Sequence, residues 1–97
     1  MQYSADQILT ILREQKPYLE EHFGVTKLAL FGSYARGDFS QASDIDILIE
    51  LKKKSFTTRF LLKEYLEHLF SLSVDVVYFD AVRRNFMRSM QKDIIYA

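Results

Sequence analysis

Cysteine is missing from these 97 residues, proline occurs once and glycine three times. Without cysteine there is neither a disulfide nor a thiolate zinc site. The chain has no Gly/Pro/Ser-rich linker, no internal repeat and no low-complexity tract, so it is expected to fold as a single domain over residues 1–97. Net charge is missing as well: thirteen Lys and Arg balance thirteen Asp and Glu. The overall basic footprint of a protein that grips nucleic acid is therefore absent, and a templating polymerase is not expected. No apolar run approaches the length of a bilayer span, and the N-terminus lacks the apolar core of a signal peptide. A cytoplasmic protein with no membrane partner is the expectation. Hydrophobic residues, by contrast, make up 48%, with eight Phe and six Tyr. That composition excludes disorder and supplies one modest core.

The apolar pattern alternates between two periods. Ser4 caps an expected helix reaching about Glu21, with Ile8, Leu9, Ile11, Leu12 and Leu19 on its apolar side and Pro17 kinking or dividing it. A short apolar strand at 27–31 follows, then a helical turn after Ser33, a loop, and a strand at 44–51. Residues 57–71 read as a second long helix, with Phe60, Leu61, Tyr65 and Leu69, and Leu72 just beyond, near helical spacing and Lys63 and Glu67 as an i,i+4 charge pair. A strand at 74–79 comes next, and Asp80 caps an expected final helix that turns Phe86, Met90 and Ile94 toward the core. Helices and strands in this order predict an α/β fold of the α+β type, with helices packed on a small sheet.

Two features in this frame carry chemistry. On a strand, Asp44 and Asp46 project to one side while Ile45, Ile47 and Ile49 project to the other. The two carboxylates then stand roughly 6–7 Å apart, within reach of one metal site. Hard oxygen donors suit Mg²⁺, which takes one or two protein carboxylates and completes its shell with water and phosphate oxygens. A nucleoside triphosphate would supply those phosphates. Asp-x-Asp by itself also fits a half-exposed strand whose polar face is acidic. Asp is poorly suited to strand interiors, however, and these two interrupt an apolar run that reads as buried.

The second feature is the turn after Leu28-Ala29-Leu30-Phe31. Gly32 allows close backbone approach, Ser33 offers a hydroxyl and Arg36 a positive charge, at the start of a helical turn whose backbone N–H groups suit a phosphate. An ordinary strand-to-helix turn with Ser33 as N-cap is the competing reading. Neither a P-loop ending in Lys-Ser/Thr nor a Gly-x-Gly-x-x-Gly run is present.

Gly32-Ser33 followed, after ten residues, by Asp44-x-Asp46 resembles the signature of the DNA polymerase β-type nucleotidyltransferase superfamily. The short chain and the wording Ser33-Tyr34-Ala35-Arg36-Gly37 are similar to its minimal nucleotidyltransferases, the MNT proteins. The resemblance implies a nucleotidyltransferase fold with a mixed sheet of about three core strands. It also implies a third carboxylate on a later strand, and Asp75 in Val74-Asp75-Val76-Val77-Tyr78-Phe79 is the residue that matches. Alone, Asp75 also reads as an edge or cap residue. Set in an apolar run with Val77 and Phe79 on its face, it would be costly to bury without a cation, and it completes a three-acid cluster if its strand pairs beside 44–51.

The activity implied is Mg²⁺-dependent nucleotidyl transfer, with two ions held by Asp44, Asp46 and Asp75 and the nucleotide cradled by Gly32, Ser33 and Arg36. ATP as donor, transfer of AMP to a tyrosine of a HEPN-type helical toxin, and hence an antitoxin role all come from the resemblance. Transfer to a small molecule such as an aminoglycoside, aided by a partner subunit, and a non-catalytic toxin-binding module are the alternatives. Lys52, Lys53 and Lys54 read as a solvated turn or as a loop that helps hold phosphate. His22 and His68 lack the neighbours of a ligand or base.

Overall fold

Residues 3–82 and 93–97 are described by a computed structural model. Ser4 opens helix α1 (Ala5–Phe23) with a reciprocal cap, its hydroxyl accepting from Gln7 N at 3.1 Å while Gln7 Oε1 accepts from Ser4 N at 2.8 Å. Two N–H groups that the helix leaves unpaired are thereby satisfied. Ile8, Leu9, Leu12 and Leu19 form its buried stripe. The helix runs past Pro17 as one element, so the expected division does not occur. Pro17 and Arg13 are both exposed, which leaves the carbonyl that loses its partner at Pro17 on the solvent side.

Gly24, in the left-handed region at φ 70°, ends α1 and leads into β1 (Val25–Phe31). This strand starts two residues earlier than its apolar alternation suggests. A register shift against the next strand lies between Val25 and Lys27, and the extra residue of such a bulge lets Val25 join Leu28 and Leu30 in the main core. There follow α2 (Gly32–Arg36), β2 (Ile45–Leu51), α3 (Phe56–Phe70), β3 (Val74–Tyr78), a 3-10 turn at Phe79–Ala81 and β4 (Ile95–Tyr96).

The strands lie in the order β3-β2-β1-β4. β1 is antiparallel to β2 and to β4, whereas β2 and β3 are parallel. A parallel pair needs a crossover, and α3 supplies it. Ser55 caps α3 by accepting from Thr58 N at 3.2 Å, and Arg59 Nη1 donates to Val76 O at 2.8 Å, fastening the crossover to β3. The sheet is mixed, as expected, but has a fourth strand. Ile94, assigned from its spacing to a final helix, instead stands just before that strand; Phe86 and Met90 lie outside the described residues.

Alternation along β2 sorts the two faces. Ile45, Ile47 and Ile49 are fully buried in the core shared with α1 and α3. Leu48 points the other way and is buried with Ala29 against Phe31, Val77, Phe79, Val82 and Ile94. Burial of this kind stabilises by about 1.5–3 kcal/mol for each large side chain. The second, smaller apolar patch is the floor beside which the acidic residues stand.

Candidate active site

Asp46 is the second residue of β2, on the Leu48 face. Its register partners are Phe31 on β1 and Asp75 on β3, so Phe31, Asp46 and Asp75 form one row across the sheet. Partners on adjacent strands lie roughly 4.8 Å apart and point to the same side. Asp46 and Asp75 both line a cavity of about 490 Å³ whose other walls are Phe31, Gly32, Ser33, Arg36, Val77 and Val82. The chain therefore gathers four of the expected residues besides Asp75: Gly32, Ser33, Arg36 and Asp46.

Asp44 is placed differently. It is exposed in the loop just before β2 and is not part of the cavity wall. Its charge nevertheless reaches Asp46: burial first, then the carboxylates of Asp75 and Asp44, push the Asp46 carboxyl from 3.8 up to about 6, against a smaller opposing pull from Arg36. Asp75 is exposed rather than buried, contrary to the reading of its apolar run. It sits at the start of the outermost strand, where water reaches one side of the residue.

Among the described residues, no three His, Cys, Asp or Glu side chains stand close enough to hold an ion by themselves. The donor chemistry nonetheless fits a divalent cation. Burial, and after it the neighbouring carboxylates, disfavours the charged form of Asp46, a cost a cation would relieve, and the hard oxygens of one or two carboxylates with water and phosphate complete a Mg²⁺ shell.

Gly32 explains why Asp46 can occupy its position. The glycine has φ 76°, and a Cβ there would fall 3.0 Å from Asp46 Cγ and 3.1 Å from Asp46 Cβ, closer still to a carboxylate oxygen. The close approach that the sequence suggested for a phosphate is made, in the protein itself, by the Asp46 side chain. Ser33 is half-buried on the cavity wall. It is not the cap of α2, since Phe31 holds that position and makes no side-chain cap bond; its carbonyl instead accepts from Gly37 N and Asp38 N at 2.9 and 3.1 Å, closing the turn.

Two contributors were not singled out from the sequence. Tyr34, 2% exposed, anchors the turn in the core and stacks on Phe39 with ring centroids 4.2 Å apart. Asp93 lies 3.9 Å from Arg36, which also donates from Nε to Asp38 Oδ2 at 3.1 Å. The Asp38 hydrogen bond raises the Arg36 pKa above its ordinary value. Tyr34 lay inside the quoted motif and was readable as a large apolar residue in a polar turn; Asp93 had no signal, because its contact spans most of the chain.

Lys52, Lys53 and Lys54 follow the opposite end of β2, roughly 20 Å from Asp46 along the strand. Lys54 is paired with Asp80 and lies 5.1 Å from the centre of the Tyr78 ring. His22 stacks on Tyr18 at 3.9 Å, remote from the acids.

A family model described as a nucleotidyltransferase domain matches residues 12–96. The chain belongs to that family. Protein adenylyltransferase MntA of Thermococcus cleftensis is 35% identical over 92 residues, which is 94% of this chain and 93% of that protein. A solved structure described as a minimal nucleotidyltransferase aligns with a TM-score of 0.77 at 26% identity, covering 96% of this chain and 95% of that one. The fold also recurs in the Shewanella oneidensis complex of a tri-AMPylated HEPN toxin with an MNT antitoxin, with TM-score 0.58, 20% identity, and coverage of 95% of this chain and 66% of that chain. The nucleotidyltransferase thus has the family's fold, and no helix among its described residues is long and apolar enough to cross a membrane.

Proposed function

We propose that this nucleotidyltransferase moves AMP from ATP to a tyrosine hydroxyl on a HEPN-type helical protein in the cytoplasm, and by doing so acts as its antitoxin. One observation carries the chemistry: Asp46 and Asp75 occupy a single row of the sheet and open into the same cavity as Gly32 and Ser33. The AMP group and the HEPN-type partner follow the relatives, one named a protein adenylyltransferase and one an antitoxin bound to an AMPylated toxin, while tyrosine as acceptor and ATP as donor rest on the family resemblance.

On this reading each residue takes a role. Asp46 would hold Mg²⁺ together with Asp44 from the adjoining loop, with Asp75 on the acceptor side, and such ions would supply charge neutralisation for the triphosphate and the leaving pyrophosphate. Ser33 and the Gly32 backbone bind phosphate oxygens, and Arg36 adds positive charge at the rim. Asp75 orients the incoming hydroxyl and receives its proton. The hydroxyl oxygen bonds to the α-phosphorus as the bond to the bridging oxygen of pyrophosphate breaks. Positioning and charge neutralisation account for most of the rate in transfers of this class.

The test is transfer of label from α-³²P-ATP, with magnesium, to a purified HEPN-type protein offered as acceptor. Wild type should label it on tyrosine, and Asp46→Asn should lower the rate by about 10²–10³-fold. Neutralisation of the toxin by Asp46→Asn with no label transferred would make the chain a binding module instead.

A further inference from the structure

Asp75 stands on the least supported strand of the sheet. β3 forms one end of the order β3-β2-β1-β4 and pairs only with β2, so its outward backbone groups meet no strand among the described residues. Ser73 O accepts from Ile45 N at 2.9 Å, which turns Ser73 toward β2. Alternation along the ladder then turns Asp75 toward β2 as well, and Val74 and Val76 outward. Parallel pairing is the weaker kind, and Asp75 itself is exposed. A carboxylate in such a place drifts with its strand unless the outer edge is held.

Helix α3 holds that edge at two points. Glu67 Oε2 accepts from Val74 N at 3.0 Å, and Arg59 Nη1 donates to Val76 O at 2.8 Å. These are outward groups of the residues immediately before and after Asp75. Both bonds are partly buried, and both involve an ionised side chain, which makes them the stronger class of hydrogen bond. The two side chains leave the helix about 12 Å apart and converge on neighbouring peptides of the strand. Each is also in contact along its own helix, Arg59 with the Phe56 ring at 5.8 Å and Glu67 with Lys63 at 4.0 Å.

We infer that Glu67 and Arg59 are positioning residues for Asp75, clamping β3 on either side of it so that its carboxylate stays in the row with Asp46. The clamp matters to catalysis only through the role that the proposed transfer gives to Asp75. Neither clamp residue belongs to the cavity wall, so neither meets nucleotide or acceptor. A displacement of about 1 Å at a reacting group costs about 10²-fold in rate. The groups proposed to bind the phosphates, Gly32, Ser33 and Arg36, belong to α2 beside β1, out of the clamp's reach. Loosening the clamp therefore lowers kcat and spares KM for ATP.

Amide hydrogen exchange and AMP transfer, both measured on the full chain, test this together. In Glu67→Ala and in Arg59→Ala the β3 amides should exchange at least about tenfold faster than in wild type, while those of β1 keep their rates. With ATP, magnesium and a purified HEPN-type acceptor, kcat per folded molecule should fall about 10²-fold in both variants, the folded fraction being taken from urea denaturation. KM for ATP should stay within about twofold of wild type. Glu67→Gln keeps an oxygen that accepts from Val74 N and should retain both the exchange rates and kcat.

Unchanged β3 exchange in the alanine variants overturns the proposal. Faster exchange with kcat per folded molecule preserved overturns it as well, because the two side chains would then serve the fold alone, and so does a loss in Glu67→Gln equal to that in Glu67→Ala. A wild-type chain that transfers no AMP overturns the proposed function and with it any catalytic part for the clamp; exchange needs no substrate, so that failure is distinguishable from absence of the clamp itself.

Discussion

At residue scale, Asp46 places function and stability in opposition. Its folded pKa of about 6 lies above the ordinary 3.8. Below about pH 4 both folded and unfolded chains carry the proton; between about 4 and 6 the folded chain keeps a proton that the unfolded chain has released. Stability therefore falls as pH rises through that window, and the loss is complete above it. Asp46→Asn should abolish transfer yet raise stability above pH 6 by about 1 kcal/mol, the carboxylate being partly screened by solvent. The urea midpoint measured on either side of the window checks this, and magnesium should raise the wild-type midpoint above pH 6 but not that of the variant.

The glycines make a controlled pair at the same scale. Gly32 and Gly37 both have left-handed φ, at 76° and 85°, but only Gly32 faces Asp46; nothing lies near Gly37. Gly37→Ala should cost about 1–2 kcal/mol from backbone strain with transfer preserved. Gly32→Ala should cost more than that and displace the carboxylate, removing transfer. The denaturation midpoint and the labelling rate, read together, separate the two effects. The sequence showed Gly32 and Asp46 as parts of one signature, but not that they touch, because their proximity depends on the pairing of β1 with β2.

At element scale, the two long helices were readable from their apolar stripes, whereas the final helix expected from Asp80 through Ile94 has a 3-10 turn at Asp80 and no helix at Ile94. Ser4 with Gln7 and Ser55 before Phe56 start α1 and α3 within a residue of their expected positions. Pro17 misled because proline in a helix carries its main cost in one lost bond, and here that bond lies on the solvent side. Pro17→Ala should raise stability by about 2 kcal/mol, which for a chain of this size is roughly 8–16 °C in Tm; thermal unfolding tests it. Local pattern failed for β4, which is two residues long and exists only through its partner β1. The bulge near Thr26 hid the start of β1 in a similar way, since it breaks the alternation by which a strand is recognised.

At the scale of the whole molecule, the sheet is a partition between a large apolar core and a smaller patch that supports the acids. Its β2 strand contributes to both, through Ile47 on one side and Leu48 on the other, each fully buried. Leu48→Ala should cost about 2–5 kcal/mol by leaving a cavity under the acid row. Magnesium and ATP should then protect the variant against denaturation less than they protect wild type, whereas Ile47→Ala, of similar cost, should keep the full protection. The order of elements from α1 to β3 was readable from the sequence, and β4 and the order of strands were not. Strand order follows from long-range pairing, and only the family resemblance implied a mixed sheet.

The acid row has a temporal corollary. Asp46 and Asp75 become neighbours only after α3 has crossed over and β3 has docked beside β2. During synthesis, a ribosome-held chain that ends before Asp75 contains the whole Gly-Ser and Asp-x-Asp signature without the pair it serves. Such a nascent chain should be catalytically silent, and truncated products of interrupted translation should be unable to spend ATP.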